Sequence, residues 1–462
     1  METKLNYKRT FLIGLAFLSI CSFWQMYDNI IPLILQNTYH LGETMTGAVM
    51  ALDNVLAIFL LPVFGMLSDK VHTKLGRRMP FIVAGTILAV IFMMLLPMID
   101  NAEKARWSTG ESFSNQVIFL AVLFFTLVSM GLYRSPAVAL MPDVTPNHLR
   151  SRANAVINLM GAVGGVYALI MIKVLVGKGE TPDYLPLFAS IAAVMVIAVG
   201  ILVITIRENK LREEVEKAEA ANTEKVEEKA IAEGVEAVGE IEAVADTEQS
   251  GATGKVKGMP KELKRSMYFM LASIFLWFTA YNAVTTAFSR YTKVVWKMEG
   301  GSFANCLMVA TVAAIFSYIP IGSISAKIGR KKTIMGGVLL MAACYGAAIF
   351  AREYHPIINV AFALIGVAWA AINVNSYPMI VAMSSGSDVG KFTGTYYTFS
   401  MAAQILTPVL SGFLLENVSY NTLFPYALFF SLMAFLTMTQ VRHGDVKPQK
   451  KESILENFDV DD

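Results

Sequence analysis

GMLSDKVHTKLGRR at residues 65–78 and GSISAKIGRKK at residues 322–332 are the two stretches that decide how this chain folds. Each closes an apolar run and opens on a glycine. Each then reaches a second glycine followed directly by cations, Arg77 and Arg78 in the first and Arg330, Lys331 and Lys332 in the second. A glycine near a helix end lets a neighbouring helix come close, and the second glycine suits a tight turn. The basic side chains then stay at the water boundary and bond the carbonyl ends of neighbouring helices. Generic basic loops would not repeat glycines and cations together in register, so the chain is read as two related halves.

Outward from these loops the sequence is a series of apolar runs. Its 462 residues are 55% hydrophobic and 16% charged, with a mean hydropathy of +0.52; a soluble domain carries roughly 25% charged residues. Runs lie at about 10–35, 44–68, 80–98, 116–141, 152–177 and 185–206, and again at about 266–292, 302–325, 333–351, 356–383, 392–415 and 421–441. Most match or exceed the roughly 20 residues that cross a hydrocarbon layer. The expectation is an all-α polytopic membrane protein, with twelve transmembrane helices in two pseudo-symmetric six-helix bundles, residues 1–206 and 263–441.

Lys8, Arg9, Lys70, Lys74, Arg77, Arg78, Arg150, Arg152, Lys327, Arg330 to Lys332 and Arg442 all fall on one side of that arrangement. Short basic loops face the cytoplasm, so both termini are expected there, with 442–462 as a cytoplasmic tail. Lys4, Lys8 and Arg9 precede the first run as in a signal peptide, but no small-residue cleavage site follows and the run continues to Leu35. It reads as a retained helix. Residues 207–262 form an acidic cytoplasmic linker, read as a spacer. Its first part suits a solvated helix with Glu/Lys pairs, and its glycine-bearing second part reads as disordered.

Several function classes drop out. A net charge of +2 gives nucleic acid nothing to bind, and Cys21, Cys306 and Cys344 sit inside apolar runs, which excludes a disulfide framework. Gly251-Ala-Thr-Gly254-Lys255 lacks the spacing of a phosphate-binding loop, so no built-in ATPase drives transport. His40, His72, His148, His355 and His443 lie in loops or at helix ends. No nucleophile–base arrangement stands out, so no enzyme, cofactor or metal is expected.

The paired loops resemble the signature loop of the major facilitator superfamily, and the whole transmembrane portion fits that pattern. More narrowly, SDKVHTKLGRRMPFI (68–82) resembles the loop of sucrose/proton symporters and their glycoside–pentoside–hexuronide:cation symporter relatives. Ser135-Pro136-Ala137 through Asp143, then Arg152-Ala153-Asn154-Ala155, resembles their fourth and fifth helices. The sequence departs from these relatives at Met79, where a third arginine is usual. Ala57 and Leu61 replace the cation-binding acids of melibiose-type sodium symporters, which favours a proton over sodium. Val138 stands where sucrose symporters carry an arginine. The resemblance also implies that Asp69, Arg77, Arg78, Asp143, Arg150, Arg152, Arg330 and Lys331 act as a cytoplasmic gate that latches the halves in the outward-facing state; topology alone is the competing account.

Transporters bind substrate near the midplane, where helices are interrupted. A helix-interior proline frees the carbonyl four residues earlier: Pro32 that of Asp28, Pro378 that of Val374 between Asn373 and Asn375, and Pro408 that of Gln404. Trp24, Gln25, Tyr27 and Asn29 surround Asp28, and Trp277, Tyr281 and Asn282 form the counterpart in the second half; Trp369 joins them. An aromatic face beside amides and a carboxylate is what a sugar ring needs; the competing account has the prolines as packing kinks and the aromatics as an interfacial belt. Trp24 and Asp28 are expected to share a face with Tyr27. Trp107 and Trp296 read as interfacial aromatics, and Arg290 and Lys173 as snorkelling cations. Charges inside a span are costly and functional by default, which selects Asp28, Asp53 and Arg134 as proton-coupling residues.

The expectation is a monomeric, proton-coupled importer of a small glycoside or disaccharide, multi-pass in the plasma membrane. An efflux antiporter for drugs or metabolites is the rival, and a non-transporting membrane sensor the rival from another class.

Overall fold

The computed structural model describes residues 5–109, 115–179, 181–217, 219–220, 260–383 and 389–445. The first half consists of α1 (Tyr7–Asn37), α2 (Glu43–Lys70), α3 (Met79–Thr109), α4 (Gln116–Asp143), α5 (Arg150–Leu175) and α6 (Leu185–Thr205). The second consists of α7 (Lys261–Val294), α8 (Ala304–Ile328), α9 (Arg330–Ala348), α10 (Ile358–Val381), α11 (Val389–Asn417) and α12 (Leu423–Thr439). Among the described residues there is no strand beyond an isolated bridge between Thr73 and Gly76.

Among the described residues, eleven helical stretches are long and apolar enough to cross a membrane. The remaining helix, α9, has 19 residues and begins with Arg330, Lys331 and Lys332, so its apolar part is short. The expected all-helical membrane architecture is what the chain adopts.

Local sequence explains the helix ends. Asn6 caps α1 by accepting from the Arg9 amide. The two second glycines of the repeated loops take positive φ, +124° at Gly76 and +96° at Gly329, a region L-residues avoid. Gly329 alone turns α8 into α9.

Within each half, small residues let helices touch. A Cβ at Gly164 would lie 2.1 Å from the Leu18 carbonyl oxygen, fixing α5 against α1; Gly366 plays the same part for α10 against the Ala310 carbonyl of α8. The halves meet mainly where α2 packs on α11 and α5 on α8.

Three expectations change. Helix α3 runs on to Thr109 rather than ending near residue 98; the reason is a buried polar cluster, in which Asp100 accepts from Thr38 (2.6 Å) and pairs with Lys104. Trp296 is not an interfacial residue: it is 5% exposed and donates to the Ala351 carbonyl at 2.8 Å. Arg290 does not snorkel, because a carboxylate from the other half meets it inside the protein. The start of the linker is the solvated helix that its Glu/Lys spacing suggests. Residues 208–217 are helical, with Arg212–Glu216 and Glu213–Lys217 paired one turn apart. The second part of the linker, read as disordered from sequence, lies outside the described residues, as does the tail beyond residue 445.

Candidate functional site

A cavity of about 780 Å3 lies between the two halves. Helix α1 contributes Cys21, Trp24, Gln25 and Asp28, which follow one another at helical spacing along a single face. Arg134 of α4, and Asn154 and Asn158 of α5, complete the wall from the first half. The opposite wall carries no charge among the described residues: Tyr281 comes from α7, Thr311 and Tyr318 from α8, Trp369 from α10 and Tyr397 from α11. Tyr281 and Trp369 stack face to face, with ring centroids 3.7 Å apart and planes at 6°.

Arg134 lies 5.9 Å from the centre of the Trp24 ring, within cation–π range. Asp28 and Asp53 are close enough to interact electrostatically, and Arg134 interacts in the same way with Asp53. Asp53 accepts from its neighbour Asn54 at 2.8 Å. Of the three charged groups singled out in the spans, Asp28 and Arg134 border the same space, the cavity, and Asp53 interacts with each from outside its lining.

The other candidates divide. Trp24, Gln25, Asp28, Arg134, Tyr281 and Trp369 line the cavity. Tyr27 and Asn29 are each 1% exposed and are not among the lining residues. Tyr27 packs on Phe23 and Trp24, and Asn29 donates to the Gln25 carbonyl at 2.8 Å. Trp277, Asn373 and Asn375 are likewise buried, with Asn375 accepting from Ser325 and donating to Ala371. Asn282 and Gln404 are partly exposed and stand outside the lining. The buried Trp24 Nε1, Trp277 Nε1 and Asn282 Nδ2 have no hydrogen-bond partner. Asn158 is a lining residue that sequence reading passed over, although Asn154 and Asn158, one turn apart on a glycine-bearing helix, were a signal available to it.

The cavity extends to the end of the molecule that carries the basic loops, where it reaches Arg150 and Ser151 at the start of α5. There Asp69, Arg77, Arg78, Asp143, Arg150, Arg330 and Lys331 are engaged within their own half. Asp143 takes Arg77 at 2.7 Å and Arg78 at 2.8 Å, and Arg78 also pairs with Asp69. Arg150 donates to the Thr145 carbonyl, Arg330 to that of Pro378 and Lys331 to that of Thr439. Arg152 also has bonded partners.

Two further acids hold these loops. The buried Glu208 carboxylate accepts from the Arg77, Arg78 and Met79 amides, and Asp445 accepts from the Lys331 amide at 3.0 Å. Each acid follows the last helix of its half and sits against the positive-φ glycine, so the glycine's missing side chain is what admits it.

The opposite end is closed between the halves. Glu43 of α2 meets Arg290 of α7 at 2.8 Å, with side chains 5% and 2% exposed. The Arg290 N–H points off the Glu43 oxygen, so this is a charge contact rather than a linear hydrogen bond. Tyr420 donates to the other Glu43 oxygen, and the Thr44 amide donates to Glu416 at 2.8 Å. A Cβ on Gly47 would lie 2.1 Å from the Pro408 carbonyl oxygen.

Comparison with known proteins agrees with this architecture. The family model described as Major Facilitator Superfamily matches residues 12–317 and 296–457. A sucrose transport protein of Arabidopsis thaliana is 35% identical over 116 residues, covering 24% of this chain and 22% of that protein. A chloramphenicol resistance protein of Acinetobacter baumannii is 30% identical over 101 residues, covering 22% and 24%. The chain spans about a quarter of the length of the curated relatives it matches. Among solved structures, a bacterial homologue of the iron transporter ferroportin in an inward-facing state superposes with a TM-score of 0.64 at 12% identity, over 95% of this chain and 99% of that one.

Proposed function

The chain belongs to the Major Facilitator Superfamily, and from that premise we propose that it is a proton-coupled importer of a small glycoside or disaccharide working by alternating access. The observation that carries this reading is the two-sided cavity, with a carboxylate, amides and Trp24 on one wall and the Tyr281–Trp369 stack on the other. A saccharide offers apolar C–H faces to aromatic rings and hydroxyls to amides and carboxylates, and both kinds of group converge here. The likeness to a plant sucrose transport protein supports the sugar class.

In this mechanism Asp28 carries the proton. It borders the cavity beside Trp24 and Gln25, so its protonation and sugar binding share one space. Protonated, it relieves Asp53 of a repelling neighbour; deprotonated, the two carboxylates repel, while Arg134 balances Asp53. The cycle follows: protonation from the outer face, sugar binding, closure at that face by Glu43 and Arg290, then release of both toward the basic end. With that end cytoplasmic, the observed conformation faces inward. The protein then acts as a monomer in the plasma membrane with both termini inside, and the Asp69–Arg77–Arg78–Asp143 group re-forms contacts across the halves in the outward-facing state.

The test is uptake by proteoliposomes of sucrose and related glycosides under an imposed pH gradient, acidic outside. Uphill uptake is expected, and Asp28→Asn should abolish it while sparing downhill exchange. No saccharide uptake, or uphill uptake intact in Asp28→Asn, defeats the reading. The resistance-protein relative favours a second reading, export of an aromatic compound; proton-driven accumulation of chloramphenicol in everted vesicles, with sugars inert, would establish it.

A further inference from the structure

A second groove, of about 550 Å3, lies apart from the central cavity where the start of α7 passes the end of α12. On α7 it is lined by Lys261, Lys264, Arg265, Tyr268, Phe269 and Ala272, with Thr437 closing it from α12. The α7 residues are spaced by three and four, so they form one stripe along the helix. The chemistry of the stripe changes along its length. Its first turn is cationic, its middle aromatic, and its end, about 16 Å from Lys261 at 1.5 Å per residue, is the small side chain of Ala272.

Among the described residues, Lys261, Lys264 and Arg265 form no ion pair, and Glu262, the acid of that turn, does not line the groove. Arg265 stands 5.7 Å from the centre of the Phe269 ring, and Tyr268 is 70% exposed. Three cations that are unpaired among the described residues, with their apolar stems lining the trough, match the profile of one molecule, a phospholipid seen from headgroup to acyl chain. Basic pockets at the boundary between helix ends and headgroups suit anionic lipids, and aromatic side chains anchor at the same level.

We propose that this groove binds an anionic phospholipid, with its phosphate among Lys261, Lys264 and Arg265 and an acyl chain along Tyr268, Phe269 and Ala272. The Glu-rich stretch 221–259 precedes the groove in sequence and shares the required charge. It has no use for the apolar end of the trough, which continues down a membrane-spanning helix, and this favours lipid.

The test uses the full-length protein in phosphatidylcholine membranes with spin-labelled phosphatidylglycerol or spin-labelled phosphatidylcholine, comparing the fraction of each lipid immobilised at the protein. The wild type is expected to prefer phosphatidylglycerol. Combined Lys261→Gln, Lys264→Gln and Arg265→Gln should remove the preference, at roughly fivefold per neutralised charge. Lys261→Arg with Lys264→Arg should keep it. Ala272→Trp, which fills the trough without touching charge, should weaken it. Equal association of the two lipids with the wild type overturns the proposal, as does a preference that survives triple neutralisation. Two other results would reassign the groove: displacement of the lipid by excess inorganic phosphate, or a severalfold gain in lipid on deleting 221–259.

Discussion

Trp24 and Asp28 face the cavity one helical turn apart, while Tyr27 between them packs into the core. The difference is one of azimuth. At about 100° per residue, Tyr27 lies on the side of α1 opposite Leu18 and Gln25, where it packs on Phe23, whereas the face through Cys21, Gln25 and Asp28 borders the cavity. A charge inside an apolar run announces itself in sequence, so Asp28, Asp53 and Arg134 were legible. The open face was not, because it depends on which neighbour a helix meets. If the aromatic walls hold a ring, Trp24→Leu and Trp369→Leu should each weaken sugar binding about tenfold, given roughly 1.4 kcal/mol for a lost aromatic contact. They should leave proton-driven exchange of a saturating substrate nearly unchanged, as equilibrium binding and transport assays would show. Tyr27→Phe, removing only a buried hydroxyl, should leave affinity unchanged.

At the level of elements, the repeated loops were readable because glycines and cations recur at short spacing. Their carboxylate partners were not, because Glu208 and Asp445 lie far along the chain from Gly76 and Gly329 at unequal separations. Glu208 takes three amides at the start of α3, so Glu208→Ala strands buried donors at a cost of about 1–3 kcal/mol. The melting temperature should fall by several degrees, with Arg77 and Arg78 becoming more accessible to arginine-directed reagents. The closure between α2 and α7 was missed for another reason: Glu43 and Arg290 each look like ordinary helix-end charges until the two halves are brought together. Glu43→Gln leaves Arg290 buried without its counter-charge, a loss of about 3–5 kcal/mol. That should tip the protein toward an opening at that end, read as faster labelling of a cysteine placed at Thr44. Glu43→Gln combined with Arg290→Met should recover much of the closed population.

Across the whole molecule, two bundles with a cavity between them were foreseeable from the spans and the repeat, whereas the end at which the cavity is sealed was not. That depends on pairings between halves, such as α2 with α11, which leave no periodic trace in either partner. The anchoring of residues 208–217 to the first half predicts that the chain can be cut downstream. Residues 1–230 and 240–462 produced as separate polypeptides should associate and transport together, measured by co-purification and uptake, while a cut before Glu208 should leave the first half poorly folded. The cavity wall itself has a consequence for descent. Among the described residues its charged groups come from α1, α4 and α5, and the wall from the second half has none. On the proposed reading, the driving reaction is therefore held on one stretch of the gene, while the choice of cargo is shared between that stretch and another. Substitutions in the second half can explore new cargoes while the driving reaction stays protected, and a lineage built this way can change its diet without first losing its engine.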